Sequence, residues 1–242
     1  MGDILVFDNV TAGYGRTRVL NGLSFAVPAG QVYGVIGPNG SGKTTMLNAL
    51  AGLILPTGGA ITFDGVDITR MPPHRRCRLG IGRTFQIPRP FERMSVYENV
   101  LAAAMFGAGK AEPAGREAAL EALELTALAE KRELRAGRLT LLDRKRLEIA
   151  RAIGTGPRLL LLDEVAAGLT SAEREYVVRL VGGLKERGYT IIWIEHIIDM
   201  MVNATDHLLC MAEGRCAVHG LPMEVMRSRE VETLYLGVEA DG

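Results

Sequence analysis

The most informative stretch of this 242-residue sequence is Val32-Tyr-Gly-Val-Ile-Gly-Pro-Asn-Gly-Ser-Gly-Lys-Thr44. Its first five residues predict a buried β-strand, and a helical pattern begins at Thr44 and ends at Gly52. Between strand and helix, residues 37–44 fit the phosphate-loop pattern G-x-x-x-x-G-K-[ST]. This order of strand, glycine-rich loop and helix predicts an α/β nucleotide-binding core.

The residue types of this loop suit phosphate binding. Glycines let backbone N–H groups turn inward without interference from a Cβ atom. Lys43 supplies a cation for the terminal phosphates, the Thr44 hydroxyl suits Mg²⁺, and the helix adds the positive end of its dipole. A fortuitous glycine-rich turn is the alternative, which the flanking strand and helix disfavour. The predicted nucleotide-binding residues here are Gly37, Pro38, Asn39, Gly40, Ser41, Gly42, Lys43, Thr44 and Thr45.

A pair of acids follows a second apolar run, Leu159-Leu-Leu-Leu162. Such a run predicts a central parallel strand that is buried on both faces. The carboxyl end of that strand is where open α/β sheets bind ligands. We therefore expect Asp163 to bind Mg²⁺ and Glu164 to polarise the attacking water. Without the phosphate loop, a helix cap or a solvated turn would be the better interpretation of the pair.

Two further polar residues are candidates by position. His196 follows the apolar run 190–194, so the end of that strand places it near the same crevice, although a lone histidine is usually structural. Gln86 offers an amide oxygen to Mg²⁺ or to a water. Alone, this glutamine is almost uninformative.

The rest of the chain predicts three kinds of segment. Residues 1–30 and 58–69 indicate short antiparallel strands, the second pair around Asp64-Gly65. Residues 88–153 indicate inserted helices, the first capped by Ser95 and Glu98 and the third beginning near Asp143. Strand and helix then alternate again, and residues 207–211 and 216–219 indicate a hairpin over Glu213-Gly214. The second inserted helix is predicted to bury a stripe of Leu120, Leu123 and Ala127.

Composition excludes several classes of protein. Twenty-eight basic residues balance 28 acidic ones, and 5% aromatic residues are too few for a base-stacking surface. We expect no nucleic-acid partner for this reason. Cys77, Cys210 and Cys216 have no metal-ligand spacing and indicate reduced structural thiols. No apolar run reaches the ~18 residues of a membrane helix.

These elements, in this order, resemble the nucleotide-binding subunit of an ABC transporter over nearly the whole chain. The resemblance is greatest to the ATPase subunits of branched-chain amino-acid and related amide importers. It implies an α/β phosphate-loop NTPase core with an N-terminal antiparallel β subdomain and an inserted α-helical subdomain. One domain would then span residues 1–242, with core and β subdomain in 1–87 and 154–242 and helices in 88–153. The segments that carry the resemblance are Gly80-Ile-Gly-Arg-Thr-Phe-Gln86, Arg146-Leu-Glu-Ile-Ala-Arg151, Leu160-Leu-Leu-Asp-Glu164, Ala166-Ala-Gly-Leu169, Ile194-Glu-His196 and Tyr235-Leu-Gly237.

The resemblance also implies roles and partners. Tyr14 would stack on adenine, the alternative being a simple turn aromatic, and His196 would be the switch histidine, a catalytic residue together with Glu164. Gln86 would sense the γ-phosphate and the membrane partner from the hinge of the helical subdomain. The cofactors would be ATP and Mg²⁺. Partners would be transmembrane permease subunits, a second ATPase subunit and, indirectly, a periplasmic solute-binding protein, with this chain peripheral at the cytoplasmic membrane face.

The sequence departs from the family at the signature motif, usually of the L-S-x-G-Q type, which completes the partner's ATP site. The aligned residues are Leu139-Thr-Leu-Leu-Asp143. Thr140 keeps a hydroxyl, Leu142 replaces the glycine that lets backbone approach a phosphate, and Asp143 adds a carboxylate that we expect to repel it. This pattern implies a heterodimer with an intact partner, or a homodimer defective at both sites. A nucleotide-binding regulator or a catalytically weak subunit is the alternative function.

Two basic runs are expected to be solvated. Arg144, Lys145 and Arg146 occupy the first turn of a predicted helix, where the dipole disfavours cations. We expect them to extend into water, the alternative being that one reaches a phosphate or a partner carboxylate. The cluster in residues 75–78 lacks interleaved aromatics and indicates a solvated face rather than a nucleic-acid site. An ATPase that acts on nucleic acid is therefore disfavoured.

Overall fold

The computed structural model of the chain describes residues 2–236, which divide into two compact units. The first unit comprises the residues up to Pro73 and those from Ile192 onward. The second unit comprises His74–Ile191. Within residues 2–236, no helix combines the length and the apolar character needed to cross a membrane.

An antiparallel sheet forms the N-terminal part of the first unit. Its strands are β1 (Asp3–Tyr14), β2 (Thr17–Pro28), β4 (Gly58–Phe63) and β5 (Val66–Asp67). Their order is β2-β1-β4-β5, and the stacked rings of Phe7 and Phe25 lie 4.7 Å apart in its core. The expected hairpin at Asp64-Gly65 is confirmed. The strands in residues 1–30 are longer than predicted, because β-bulges let one hairpin run for 12 residues on each side.

The remainder of the first unit contains the predicted strand–loop–helix. Strand β3 (Val32–Ile36) is buried throughout and precedes helix α1 (Lys43–Leu50). It pairs in parallel with β9 (His207–Ala212), which pairs antiparallel with β10 (Arg215–Gly220). Three short helices complete the unit: α7 (Ile198–Ala204), α8 (Pro222–Met226) and α9 (Arg229–Leu236).

The second unit is mainly helical. Strands β6 (Ile81–Arg83) and β7 (Leu159–Asp163) pair in parallel, and β8 (Thr190–Ile194) crosses the limit between the units. The sequence did not predict β6, because three residues are too few to show a period. The α-helices are α2 (Pro73–Leu79), α3 (Val96–Ala102), α4 (Glu112–Leu125), α5 (Leu141–Gly154) and α6 (Ser171–Glu186), with a π-turn at Ala103–Gly107 and 3₁₀ turns at Ala129–Lys131 and Ala136–Arg138.

The capping box at Ser95 and Glu98 is confirmed, but the predicted stripe on α4 is wrong in two of its three positions. Leu120 is 41% exposed, and Ala127 is exposed beyond the end of the helix. Three of the four residues on the face that packs are small, and a Cβ at Gly115 would lie 2.9 Å from the Met105 side chain. The buried residues of α4 are Gly115, Ala119, Ala122 and Leu123.

The arginine cluster on α2 also differs from the prediction. Arg75 and Arg78 are exposed, as expected, but Arg76 is only 1% exposed. Successive residues of an α-helix point about 100° apart, so neighbouring arginines do not share one face. The expectation of a wholly solvated cluster is therefore wrong at Arg76.

Candidate functional site

The phosphate-loop sequence folds into a backbone that requires glycine. Gly37, Gly40 and Gly42 all have positive φ, at 147°, 81° and 103°. A Cβ atom at Gly37 would lie 2.3 Å from the carbonyl oxygen of Met211. Gly42 is also the N-cap of α1, and within the described residues no side chain caps that helix. The first-turn N–H groups of α1 are thus presented to the loop, as anion binding requires.

Lys43 is folded over the same loop. Its Nζ donates hydrogen bonds to the carbonyl oxygens of Gly37, at 2.7 Å, and Pro38, at 3.0 Å. The side chain is therefore already positioned at the loop. Among the other predicted residues, Ser41 and Thr45 are buried, Pro38 is half-buried, and Asn39, Gly40 and Thr44 are exposed.

The turn between β9 and β10 braces the phosphate loop. The Gly214 N–H donates to the Ser41 carbonyl oxygen at 3.0 Å. Asn21 of β2 holds the turn from its other side, because its backbone N–H donates to Gly214 and its side chain donates to Glu213. The sequence predicted the hairpin at this Glu-Gly pair but gave no signal for its contact with the loop.

Tyr14 ends β1 and is 48% exposed. Its hydroxyl accepts a hydrogen bond from Asn48 Nδ2 of α1 at 2.7 Å. An aromatic face fixed at one end and open to solvent is suited to stacking on a planar base. Asn48 was not among the predicted residues.

Two more predicted residues lie in the first unit. His196 is exposed, two residues after the end of β8. Tyr235 lies on α9, where burial raises its pKa to about 12 although a hydrogen bond with the Gly37 backbone opposes the rise. Gly237, the last residue of the quoted terminal motif, lies outside the described residues.

In the second unit, Asp163 is the last residue of β7 and is buried. Burial raises the pKa of Asp163, and the charge and hydrogen bond of Arg83, whose Nη2 lies 3.2 Å from Oδ2, partly oppose this rise. The other carboxylate oxygen, Oδ1, is buried without a hydrogen-bond partner among residues 2–236. A buried oxygen that lacks a donor fits a hard divalent cation. The residues predicted to share such a cation are Thr44, in the first unit, and Gln86, in the second.

Glu164 follows Asp163 with a left-handed backbone, φ 48°. Its Oε2 accepts a hydrogen bond from Gln86 Nε2 at 2.5 Å. The structure therefore brings together two of the predicted residues that lie 78 positions apart in the sequence. A carboxylate fixed by an amide in this way is suited to orienting a water.

The signature-position residues form the start of α5. Thr140 is the N-cap, its hydroxyl accepting from the Asp143 N–H and donating to Asp143 Oδ2. Asp143 is buried and also pairs with Lys131 at 2.5 Å and Arg146 at 3.2 Å. Burial raises the pKa of Asp143, but these hydrogen bonds and charges bring it below the usual value. The expectation that this carboxylate would face and repel a phosphate is therefore wrong, because its charge is directed into the protein.

The expectation that residues 144–146 extend into water is also wrong. Lys145 is 3% exposed and donates to two backbone carbonyls. Arg146 stacks over the ring of Tyr176 at 3.8 Å. Arg144 donates to the carbonyls of Leu139 and Gly137. The loop carbonyls attract Lys145 and Arg144 more strongly than the helix dipole repels them.

Comparisons with known proteins agree with this geometry. The sequence profile of a family described as "ABC transporter" matches residues 20–167. The chain is 37% identical to the high-affinity branched-chain amino acid transport ATP-binding protein BraF of Pseudomonas aeruginosa, over 97% of this chain and 98% of that protein. It is 30% identical to the lipopolysaccharide export system ATP-binding protein LptB of Escherichia coli K12, over 96% and 97%. The ADP conformation of MJ1267, an ATP-binding cassette of an ABC transporter, matches with a TM-score of 0.88 at 31% identity, covering 98% of this chain and 100% of that one.

Proposed function

We propose that this chain, which belongs to the ABC transporter family and is an ATPase of that family, drives import of branched-chain amino acids or a related amino acid or amide. The observation that carries the catalytic part is the 2.5 Å hydrogen bond between Gln86 and Glu164, directly after Asp163. The importer assignment is supported by the 37% identity to BraF, against 30% for the export protein LptB.

In the proposed mechanism, the loop at residues 37–45 binds the ATP phosphates. The loop amides and the α1 N-terminus donate to the phosphate oxygens, and Lys43 transfers its Nζ from the Gly37 and Pro38 carbonyls to the terminal phosphates. Tyr14 stacks on the adenine. The binding residues of this step thus belong to the first unit.

We assign hydrolysis to the acidic residues at the end of β7 and directly after it. Thr44, Asp163 and Gln86 would hold Mg²⁺, which would neutralise charge on the phosphate oxygens. Glu164 accepts a proton from water as the water oxygen bonds to the γ-phosphorus and the bond to ADP breaks. Gln86 orients the Glu164 carboxylate, and His196 serves as the switch histidine.

The proposed partners follow from family membership. Two ATPase subunits act together beneath transmembrane permease subunits, with a periplasmic solute-binding protein acting indirectly and this chain peripheral at the cytoplasmic face. Residues 88–153 form the helical subdomain that contacts the permease, with Gln86 at its hinge. Leu142 makes an intact second subunit the preferred partner, since its side chain replaces the signature glycine.

A nucleotide-binding regulator is the second candidate, and one observation favours it. Thr140, the hydroxyl that would reach the partner's ATP, is already used to cap α5. A subunit that binds ATP but completes no second site would regulate rather than drive transport.

Mg-ATP turnover tests the proposal, with the subunit alone and mixed with a sister ATPase that has an intact signature. Glu164→Gln should lower turnover at least about 100-fold with ATP still bound, whereas Glu175→Gln, on exposed helix surface, should not. Substantial turnover that survives Glu164→Gln contradicts the catalytic assignment. ATP binding without turnover, both for the subunit alone and for the mixture, favours the regulator. With permease, stimulation by a leucine-loaded solute-binding protein supports import, and stimulation by lipopolysaccharide overturns it.

A further inference from the structure

One face of α5 holds the segment that follows Gln86. Lys145 Nζ donates to the Gln86 carbonyl oxygen at 2.7 Å. Glu148 accepts from the Arg89 N–H at 2.9 Å, and Arg151 donates to the Arg89 carbonyl at 3.0 Å. Positions 145, 148 and 151 are spaced by three and share a helix face. The backbone from Gln86 to Arg89 is therefore tied to α5 at successive points.

Lys145 differs from the other members of this face because it also reaches the end of β7. The same Nζ donates to the carbonyl oxygen of Glu164 at 3.0 Å. A buried ammonium group requires such acceptors. The two carbonyls belong to Gln86 and Glu164, whose side chains bond to each other. Lys145 thus joins the main chains of both residues of the proposed hydrolytic pair.

The backbone of Glu164 is strained where Lys145 binds it. A φ of 48° is unusual for a residue with a side chain and persists when the surroundings hold it. The Glu164 carbonyl accepts from Lys145 Nζ and from the Ala167 N–H, at 3.2 Å. A donor at this carbonyl fixes the rotation of the peptide, and with it the direction of the Glu164 side chain.

We propose that Lys145 is a positioning residue for hydrolysis, which links the start of α5 to Glu164 and sets the geometry of its contact with Gln86. This inference rests on the proposed catalytic role of Glu164. It gives α5 a function within its own subunit, separate from that of the residues at 140–143. A displacement of α5 would then alter the water-orienting carboxylate through one ammonium group.

The test compares Lys145→Met with Arg151→Met, which removes a cation from the same face of α5 but contacts neither Gln86 nor Glu164. Lys145→Met should lower the kcat for ATP at least about tenfold with KM within twofold, because the phosphate loop is unaltered. Lys145→Arg, which keeps the donor, should recover part of the loss. Arg151→Met should lower the melting temperature, since it leaves buried Glu148 without a cation, and change kcat less than threefold.

Hydrogen–deuterium exchange provides a readout that does not depend on turnover. In Lys145→Met, peptides covering 86–91 and 164–169 should exchange faster, while those covering 37–45 should not. Unchanged exchange in the first two peptides overturns the proposal. A loss of kcat that is accompanied by an equal rise in KM also overturns the proposal. The same holds for a loss of kcat that Arg151→Met reproduces, since both results indicate a structural role.

A double substitution separates this inference from the proposed function. If Lys145 acts through Glu164, Lys145→Met should lower kcat no further when Glu164→Gln is already present. An additional tenfold loss overturns the coupling. If Glu164→Gln alone leaves turnover intact, the catalytic assignment fails, and the exchange result still decides whether Lys145 fixes the two segments.

Discussion

The backbone N–H of Gly214 donates to the carbonyl oxygen of Ser41 at 3.0 Å, which joins a hairpin turn to the middle of the phosphate loop. The turn has a close counterpart elsewhere in the first unit. Glu213-Gly214 has φ values of 49° and 74°, and Asp64-Gly65 has 49° and 76°. The two turns have nearly the same φ values, and the hydrogen bond to Ser41 comes from the Glu213-Gly214 turn.

Gly214→Ala should therefore be far more damaging than Gly65→Ala. A Cβ at Gly214 would lie 1.7 Å from the carbonyl oxygen of Val19, whereas Gly65 faces open space. We expect Gly214→Ala to lower the free energy of unfolding by about 3 kcal/mol or more and to weaken ATP binding. Gly65→Ala should cost about 1 kcal/mol through its positive φ and leave ATP binding unchanged. Urea denaturation measures the loss of stability, and equal losses in the two variants would contradict the close approach of Gly214 to Val19. Nucleotide titration measures ATP binding, and unchanged binding in Gly214→Ala would show that the contact with Ser41 is unimportant.

Asp163→Asn should make the protein more stable at neutral pH. Burial raises the pKa of Asp163 despite Arg83, so the folded state holds this proton more tightly than the unfolded state. Deprotonation as pH rises above about 4 therefore costs stability, which the amide avoids. Urea denaturation followed by the fluorescence of Trp193, the sole tryptophan, should show the gain at pH 7 and its decrease toward pH 4. A variant less stable than wild type at pH 7 would mean that the Arg83 pair outweighs burial.

Tyr14→Ala should raise the KM for ATP about tenfold, because stacking on a base contributes on the order of 1–3 kcal/mol. Tyr14→Phe and Asn48→Ala both remove the 2.7 Å hydrogen bond that fixes the ring, and both keep the ring itself. Both should raise KM by a similar and smaller factor, about twofold to threefold. Steady-state kinetics measures these KM values. An unchanged KM in Tyr14→Ala would show that Tyr14 does not stack on adenine and is simply an aromatic residue in a turn.

Leu142→Gly should raise turnover of the subunit when it is assayed alone, by about tenfold, because it removes the side chain that blocks backbone approach to the partner's phosphate. Leu141→Gly is the matched control, since Leu141 is an exposed neighbour in the same first turn of α5. It should leave turnover unchanged. If the two variants behave alike, Leu142 does not limit activity.

The parts of the site that could be predicted are those whose residues lie close together in the sequence. The phosphate loop follows β3 immediately, and Glu164 directly follows Asp163, the last residue of β7. A short sequence pattern is enough to recognise each of these features. Lys145 could not be found in this way, because its partners lie 59 and 19 positions away and its own neighbourhood indicates a solvated cationic turn. Asn48 and Tyr14 are likewise 34 positions apart.

The fold shows the same division. Hairpins at Asp64-Gly65 and Glu213-Gly214 follow from turn residues, whereas the buried faces of α2 and α4 depend on which neighbours pack against them. The predicted exposure of Arg76 and the predicted burial of Leu120 are wrong for the same reason. Periodicity gives the spacing of the residues on one face of a helix, but it does not show which face meets the core.

The left-handed backbone at Glu164 predicts what selection for stability alone would do at this position. Glycine adopts φ 48° without penalty, whereas a residue with a side chain loses about 1 kcal/mol there. A library screened only for resistance to heat should therefore enrich glycine at 164, and the enriched proteins should be more robust and unable to cleave ATP. Given its proposed role in hydrolysis, glutamate at this position lowers stability by about 1 kcal/mol in return for a side chain that acts on water.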